Sequence, residues 1–318
     1  MPSLYKSALF LCCLAGIAFS VAGTCLLRGG QDAFGIPALA VGIAGTLLPP
    51  LFLLLKVRED SGHARLALDH LCELQKEVLR STLLSAPKYH QPGNLNHAEV
   101  TAFSQSGEDG ILAAIFERIG TTNRFCVEFG LGDSSANNTT LLLKTGWSAL
   151  WIEGDSSRAA QARELFAPWV KTGKLKVRQE FITAENIEQI FRSESVPPQL
   201  DLLSIDLDQS DYWIWRAMEE YRARVVVIEY NSTFPPGVEW VAESGTSEGS
   251  GLDWGVSLSA LERLAEQKQY KLVGCTLNGT NAFFVRADLV EGKFSGPFTA
   301  ARHYEPRRYF LAVSKDDY

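Results

Sequence analysis

The sequence of 318 residues predicts an α/β fold, with parallel strands that end in an antiparallel hairpin, preceded by two transmembrane helices. Three observations carry that prediction. From Phe125 onward, short apolar runs alternate with helical patterns, the sign of parallel strands joined by crossover helices. The last two apolar runs, 270–276 and 282–286, lie close enough in the chain to pair as a hairpin. Most of the first 55 residues are apolar, whereas the rest has the mixed composition of a globular domain.

The apolar start divides into two uncharged stretches, 7–27 and 35–55. Each has the roughly 20 residues needed to span a bilayer core. A short polar break with Arg28, Gln31 and Asp32 separates them, so they are expected to form a hairpin contacting the lipid bilayer through residues 7–55. Pro49 and Pro50 should kink the second helix or end it early. Lys6 precedes the first stretch and Lys56, Arg58 and Arg65 follow the second, against Arg28 alone in the turn. The positive-inside rule then places the protein in the inner or plasma membrane with the large domain cytoplasmic. A cleaved signal peptide is the rival reading of the first stretch, and it leaves the same placement.

Residues 65–84 carry a helical pattern, with Leu68, Leu71, Val78 and Leu79 on one side. Residues 87–96, with Pro92 and Gly93, read as a loop. The expected organisation is therefore a membrane hairpin (1–58), a connector helix and linker (59–98), and a globular domain (99–318). The net charge of −7 and the lack of a basic stripe exclude nucleic acid as a partner. The six cysteines form no CxxC pair and no Cys/His cluster, so a structural zinc site is not expected.

The most informative segment is Phe125-Cys-Val-Glu-Phe129 followed by Gly130-Leu-Gly132-Asp133. An apolar run of this kind reads as a buried parallel strand, and glycines directly after it let the backbone turn beside a ligand. A short helix should follow at 138–144, capped by Asn137 or Asn138, and Gly146 should stop it. The next strand, 149–152, runs into Glu153, whose two carboxylate oxygens suit the two hydroxyls of a ribose. This order of strand, glycine loop, helix, strand and acid is Rossmann-like. It is neither a P-loop, because no Gly-Lys-Ser/Thr follows, nor a GxGxxG dinucleotide site.

Further strands are expected at 175–179, 202–206 and 225–230, separated by helices at 157–169, 186–193 and 212–221. A helix at 258–269 precedes the terminal hairpin. Open α/β sheets bind ligands at the carboxyl ends of their strands. The residues to inspect are thus Glu128, Glu153, Asp206 with Asp208, and Glu229 with Asn231.

Several segments together resemble the FkbM-like branch of the S-adenosylmethionine-dependent methyltransferases. They are Ser104-Gln-Ser-Gly-Glu-Asp-Gly-Ile111, Val127-Glu-Phe-Gly-Leu-Gly-Asp133, Asn137-Asn-Thr139, Gly146-Trp147 and Ile152-Glu-Gly-Asp155. Leu202-Leu-Ser-Ile-Asp-Leu-Asp208, Asp211-Tyr-Trp213 and Val227-Ile-Glu-Tyr-Asn231 complete the set. The resemblance implies a class I methyltransferase sheet, with S-adenosylmethionine held by Glu128, Gly130, Gly132, Glu153 and Asp206. Asp133, Asn138 and Gly154, beside these residues, complete the candidate cofactor site. The resemblance also implies methyl transfer to an oxygen, often on a sugar or lipid-linked substrate. Ser134 stands where the third loop glycine often lies, and Gln209 where related sequences often have glycine.

Two chemistries remain open for proton removal from an acceptor hydroxyl. Asp206, Asp208 or Glu229 can serve as general base. Alternatively, Asp206, Asp208, Glu229 and Asn231 can hold a divalent cation, magnesium or calcium, that lowers the hydroxyl pKa. His303 reads as a surface or packing residue rather than a base. Trp213, Trp215 and Trp240 are candidates for an acceptor pocket, Trp215 fitting the core better. The acceptor is expected to be a small molecule or glycan. Two other function classes compete: a glycosyltransferase using Asp206-Leu-Asp208 as a DxD triplet, and a non-catalytic scaffold that keeps the cleft.

Overall fold

The computed structural model describes residues 62–132, 134–207, 209–243 and 254–312. The chain divides into two compact units at Leu83/Leu84. The described part of the first lies in a helix of 23 residues, α1 (Gly62–Leu84), whose last residue falls in the second. It carries Asp69, Glu73, Lys76, Glu77 and Arg80, and among the described residues no helix is long and apolar enough to cross a membrane. This corrects the placement of the chain as a two-span inner-membrane protein with a cytoplasmic domain. The two stretches behind the expected hairpin, 7–27 and 35–55, lie outside the described residues.

The second unit is a mixed α/β, Rossmann-like domain. Its strands are β1 (Phe125–Phe129), β2 (Ser148–Glu153), β3 (Leu175–Gln179), β4 (Leu202–Ile205), β5 (Val225–Glu229), β6 (Tyr270–Cys275) and β7 (Asn281–Arg286). They form a seven-stranded sheet in the order β3-β2-β1-β4-β5-β7-β6. The first five strands run parallel, and β7 inserts antiparallel between β5 and β6. The chain reverses its direction of travel across the sheet between β1 and β4. In open parallel sheets that reversal leaves a crevice at the carboxyl ends of the strands.

Helices cover both faces: α2 (Glu108–Ile119), α3 (Thr140–Lys144), α4 (Ser156–Leu165), α5 (Ala167–Lys171), α6 (Ile187–Glu194), α7 (Asp211–Ala217), α8 (Leu258–Gln267) and α9 (Ala300–His303). The period-2 alternation of the strands sorts their side chains. Val127, Phe129, Ile152 and Ile228 pack with Ile190, Ile214 and Leu261 on one face. Cys126, Trp151, Val227 and Phe283 pack with Ile111, Ile115 and Leu143 on the other. At about 1.5–3 kcal/mol for each fully buried large apolar side chain, these two layers are the main stabilising term.

Three departures from the expected elements have local causes. Helix 157–169 is interrupted at Phe166, because Pro168, in the first turn of α5, cannot donate a backbone hydrogen bond to a continuing helix. Helix 212–221 ends at Ala217, where Met218 turns extended and the Glu219 and Glu220 amides donate to Glu188 Oε1, each at 2.7 Å. Residues 87–98 contain two 3-10 turns rather than only a loop. That segment is tied to the domain by Asn96 Nδ2 donating to the Cys275 carbonyl at 2.8 Å and by Tyr89 Oη donating to Glu305 Oε2 at 2.7 Å.

At the amino ends of the strands, buried Asp201 accepts from the amides of Thr122, Asn123 and Arg124 at 2.7–3.0 Å and pairs with Arg224 Nε at 3.1 Å. This joins the entry into β1 to the start of β4. It leaves the carboxyl ends to be shaped by loops.

Candidate functional site

The loop after β1 is built around Glu128. Its carboxylate is buried and accepts from the Asn138 amide at 2.7 Å, the Thr139 amide at 3.1 Å and Thr139 Oγ1 at 2.5 Å. Those amides lie just before α3, whose N-cap residue has no side-chain cap of its own. The N-cap is Thr139 rather than the expected Asn137 or Asn138, and Glu128 holds the turn that leads into the helix. Burial pushes the Glu128 carboxyl up to about 7, against the lowering effect of these hydrogen bonds. Asn138 instead directs its Nδ2 to Ser204 Oγ on β4, at 3.0 Å.

Gly130 sits where the loop passes β4. Its φ is +72°, and a Cβ built there would lie 1.7 Å from the Asp206 carbonyl oxygen. Only glycine meets both conditions. Ser134 adopts a left-handed φ of 63° and is buried, with no hydrogen-bond partner for its Oγ.

Glu153 closes β2. Its Oε2 accepts the Leu131 amide at 2.9 Å and its Oε1 the Asp155 amide at 2.9 Å. Asp155 in turn caps α4 by accepting the Arg158 amide at 2.8 Å. Gly154 leaves room for Phe181, because a Cβ there would come within 2.5 Å of the phenyl ring. That ring, just after β3, is 75% exposed.

These elements enclose a cleft of about 510 Å³ at the carboxyl end of the sheet. Of the residues read from the sequence, the cleft brings together Glu128, Gly130, Gly132, Asn138, Glu153, Gly154, Asp206 and Glu229. Asp133 and Asp208 lie outside the described residues. Asn231 is fully buried, and its amide is engaged by the Trp254 carbonyl at 2.9 Å and the Thr233 amide at 3.0 Å. It shapes the turn after β5 and does not line the cleft. Among the described residues, no group of three or more His, Cys, Asp or Glu is placed to hold a metal ion. The expected four-residue cation site includes Asp208, which lies outside the described residues.

The cleft also uses Arg158, Phe181, Thr280 and Asn281, which the sequence reading did not single out, and Gln105 and Glu108, which it placed in a resembling segment without a role in the site. Glu108 begins α2 and is raised by burial from its ordinary pKa. It accepts from the Ser106 amide and Asn281 Nδ2, each at 2.8 Å. The strand-end rule, extended to the residues after β3, would have found Phe181. Asn281 becomes visible only once β7 pairs with β5, which sets it opposite Glu229.

His303 lies away from the cleft. Burial, with Arg302 and Lys88 nearby, lowers its pKa to about 3. Trp215 packs against Tyr270 and Phe284 as core, while Trp213 Nε1 donates to the Ala242 carbonyl at 2.9 Å. Trp240 stacks on Phe234 with ring centroids 5.3 Å apart.

No protein-family model matches the chain, and no curated protein matches it. Solved structures do. An O-methyltransferase from Bacillus cereus in complex with S-adenosylhomocysteine is 13% identical, over 76% of this chain and 97% of that one, with a TM-score of 0.36. Cofactor-bound Rv0187 from MTB is 15% identical, over 66% of this chain and 96% of that one, with a TM-score of 0.38. TrmK from M. capricolum, in complex with S-adenosylhomocysteine, is 11% identical, over 58% of this chain and 69% of that one, with a TM-score of 0.35.

Proposed function

We propose that this chain is an S-adenosylmethionine-dependent methyltransferase of the FkbM-like type, acting on a hydroxyl of a small-molecule or glycan acceptor. The observation that carries the reading is the bond from the Leu131 amide to Glu153, which joins the glycine loop after β1 to the acid after β2. A carboxylate oxygen has two acceptor positions. Each Glu153 oxygen therefore keeps one after its backbone bond, enough for the two hydroxyls of a ribose.

The surrounding residues fit the rest of such a cofactor. The cleft volume falls in the range of roughly 300–1,000 Å³ usual for small-molecule sites. Phe181, lying over Gly154, offers an apolar ring to a base. The turn through Gly130 and Gly132 lets backbone come close to the ligand. When bound, the cofactor supplies an electrophilic methyl group on a sulfonium. The chain's own part is to hold the acceptor oxygen in line and take its proton. Glu229 and Asp206, at the ends of neighbouring strands β5 and β4, are the carboxyls on the acceptor side of this reading.

Isothermal titration of the purified protein with S-adenosylhomocysteine tests the proposal. A saturable one-site isotherm with a micromolar Kd is expected. Absence of binding rejects the cofactor assignment.

A further inference from the structure

Asn281, the first residue of β7, is 5% exposed and lines the cleft. All but one of its polar groups are engaged. Its backbone amide donates to Thr276 Oγ1 at 2.9 Å, and its backbone carbonyl accepts the Thr276 amide at 2.9 Å. Its Nδ2 donates to Glu108 Oε1 at 2.8 Å. Glu108 is itself buried and accepts the Ser106 amide at Oε2, so the nitrogen edge of the Asn281 side chain is fixed on the start of α2. Its Oδ1 is thereby turned away from Glu108 towards the cleft, and it has no hydrogen-bond partner among the described residues. A buried acceptor left unpaired is costly, and native proteins keep few of them.

Strand order says which part of a ligand this oxygen meets. The ribose is on Glu153 after β2, and the base against Phe181 after β3, in the proposed function on which this inference rests. The remaining end of the cofactor then points across β1 towards β4, β5 and β7. Asn281 closes that side of the cleft, opposite Glu229 in the β5–β7 register. Its partner Glu108 ties it to the glycine-loop strand as well. Asp109, the next residue of α2, is close enough to Glu128 on β1 to contribute to the rise of its pKa.

The hydrogen-bond donors of S-adenosylmethionine are the amino group of its base, its ribose hydroxyls and the ammonium of its amino-acid tail. The first two lie at the β2–β3 end. The ammonium is the donor left for the β7 end. An ammonium offers only donors, and its hydrogen bonds are roughly twice as strong as neutral ones. We infer that Asn281 Oδ1 accepts a hydrogen bond from the ammonium of the cofactor's amino-acid tail, which makes β7 part of the cofactor site. Asn281 thus reads the end of the cofactor that methyl transfer leaves unchanged, and holds S-adenosylmethionine and S-adenosylhomocysteine alike.

The test is a double-mutant cycle read by titration calorimetry on the full chain. It crosses Asn281→Ala with two ligands, S-adenosylhomocysteine and its analogue in which hydrogen replaces the amino group. The wild type is expected to bind S-adenosylhomocysteine about tenfold more tightly than the analogue, the scale of one hydrogen bond to a charged group. Asn281→Ala should weaken S-adenosylhomocysteine by about the same factor and change the affinity for the analogue by less than about twofold. Asn281→Asp, close to asparagine in shape, keeps an oxygen in place and serves where the alanine variant fails to fold. In it the gap between the two ligands should stay at its wild-type size or widen. The inference is overturned, and the cofactor site left standing, by equal affinity of the two ligands for the wild type or by a narrower gap in Asn281→Asp. Equal weakening of both ligands by Asn281→Ala, which marks a structural role alone, or unchanged binding of both has the same consequence. Failure of S-adenosylhomocysteine to bind the wild type overturns the cofactor site and the inference with it.

Discussion

Glu153 Oε2 accepts the backbone amide of Leu131 at 2.9 Å, so the acid that ends β2 is fastened to the loop that follows β1. The same carboxylate is assigned to the ribose, which gives its two substitutions different outcomes. Glu153→Ala removes the acceptor for Leu131 as well as the ribose contact. Affinity for S-adenosylhomocysteine should fall by about 100-fold or more, since hydrogen bonds to a charged group contribute roughly 1.5–3 kcal/mol each. Glu153→Gln keeps one oxygen acceptor and should lose less, about tenfold. Titration calorimetry on both variants checks the order, and unchanged affinity in Glu153→Ala removes the residue from the site.

Gly130 and Gly146 separate close approach from backbone conformation. Both have positive φ, +72° and +97°, but only Gly130 would drive a Cβ into another backbone atom, the Asp206 carbonyl. Gly146→Ala should cost about 1–2 kcal/mol, the left-handed penalty alone. Gly130→Ala adds an overlap that only backbone movement relieves, typically about 1–3 kcal/mol more. It should also weaken S-adenosylhomocysteine binding, because the backbone that must move is the cleft floor. Urea unfolding of the two variants measures the difference, and equal losses would mean that the loop yields freely.

Ser134 takes the left-handed conformation, with φ of 63°, that glycine adopts without strain. Its buried hydroxyl has no hydrogen-bond partner. The loop therefore keeps its path at a cost in strain rather than rearranging around the side chain. Ser134→Gly should raise stability by about 1 kcal/mol, through relief of the left-handed penalty. A lower urea midpoint in the variant would show that the hydroxyl has a stabilising partner.

The strands, and the order in which they alternate with helices, were legible because each is an apolar run bounded by turn residues. Leu175–Gln179 and Phe125–Phe129 match their expected limits. The role of Glu128 was not legible in the same way. The sequence places an acid at a strand end, and only the fold shows that its oxygens meet the Asn138 and Thr139 amides. Asn231 illustrates the same limit. One residue beyond Tyr230 it reads as a strand-end ligand, yet the long loop returns at Trp254 and engages its amide. Glu108 and Asn281 come together across a sequence separation of 173 residues, a distance over which local pattern carries no information.

Glu128 gives the last prediction, a pH dependence with a definite sign. Its carboxyl is raised from 4.5 to about 7, with burial the largest cause. A raised folded pKa means that the folded state holds this proton more tightly than the unfolded chain does. The contribution is fully present below about pH 4.5 and is lost as pH rises through about 7. Glu108, raised by burial as well, acts in the same direction. The contribution of these acids should therefore fall between pH 5 and 8, by up to an order of 3 kcal/mol for Glu128 alone. Glu128→Gln is neutral at every pH, so its unfolding free energy should depend less steeply on pH over that window. Its amide nitrogen would still face the donor groups of Asn138 and Thr139, which should lower stability at pH 5 relative to the wild type. Urea denaturation at half-unit pH steps reads both effects. Parallel pH profiles for the two proteins would place the titration elsewhere.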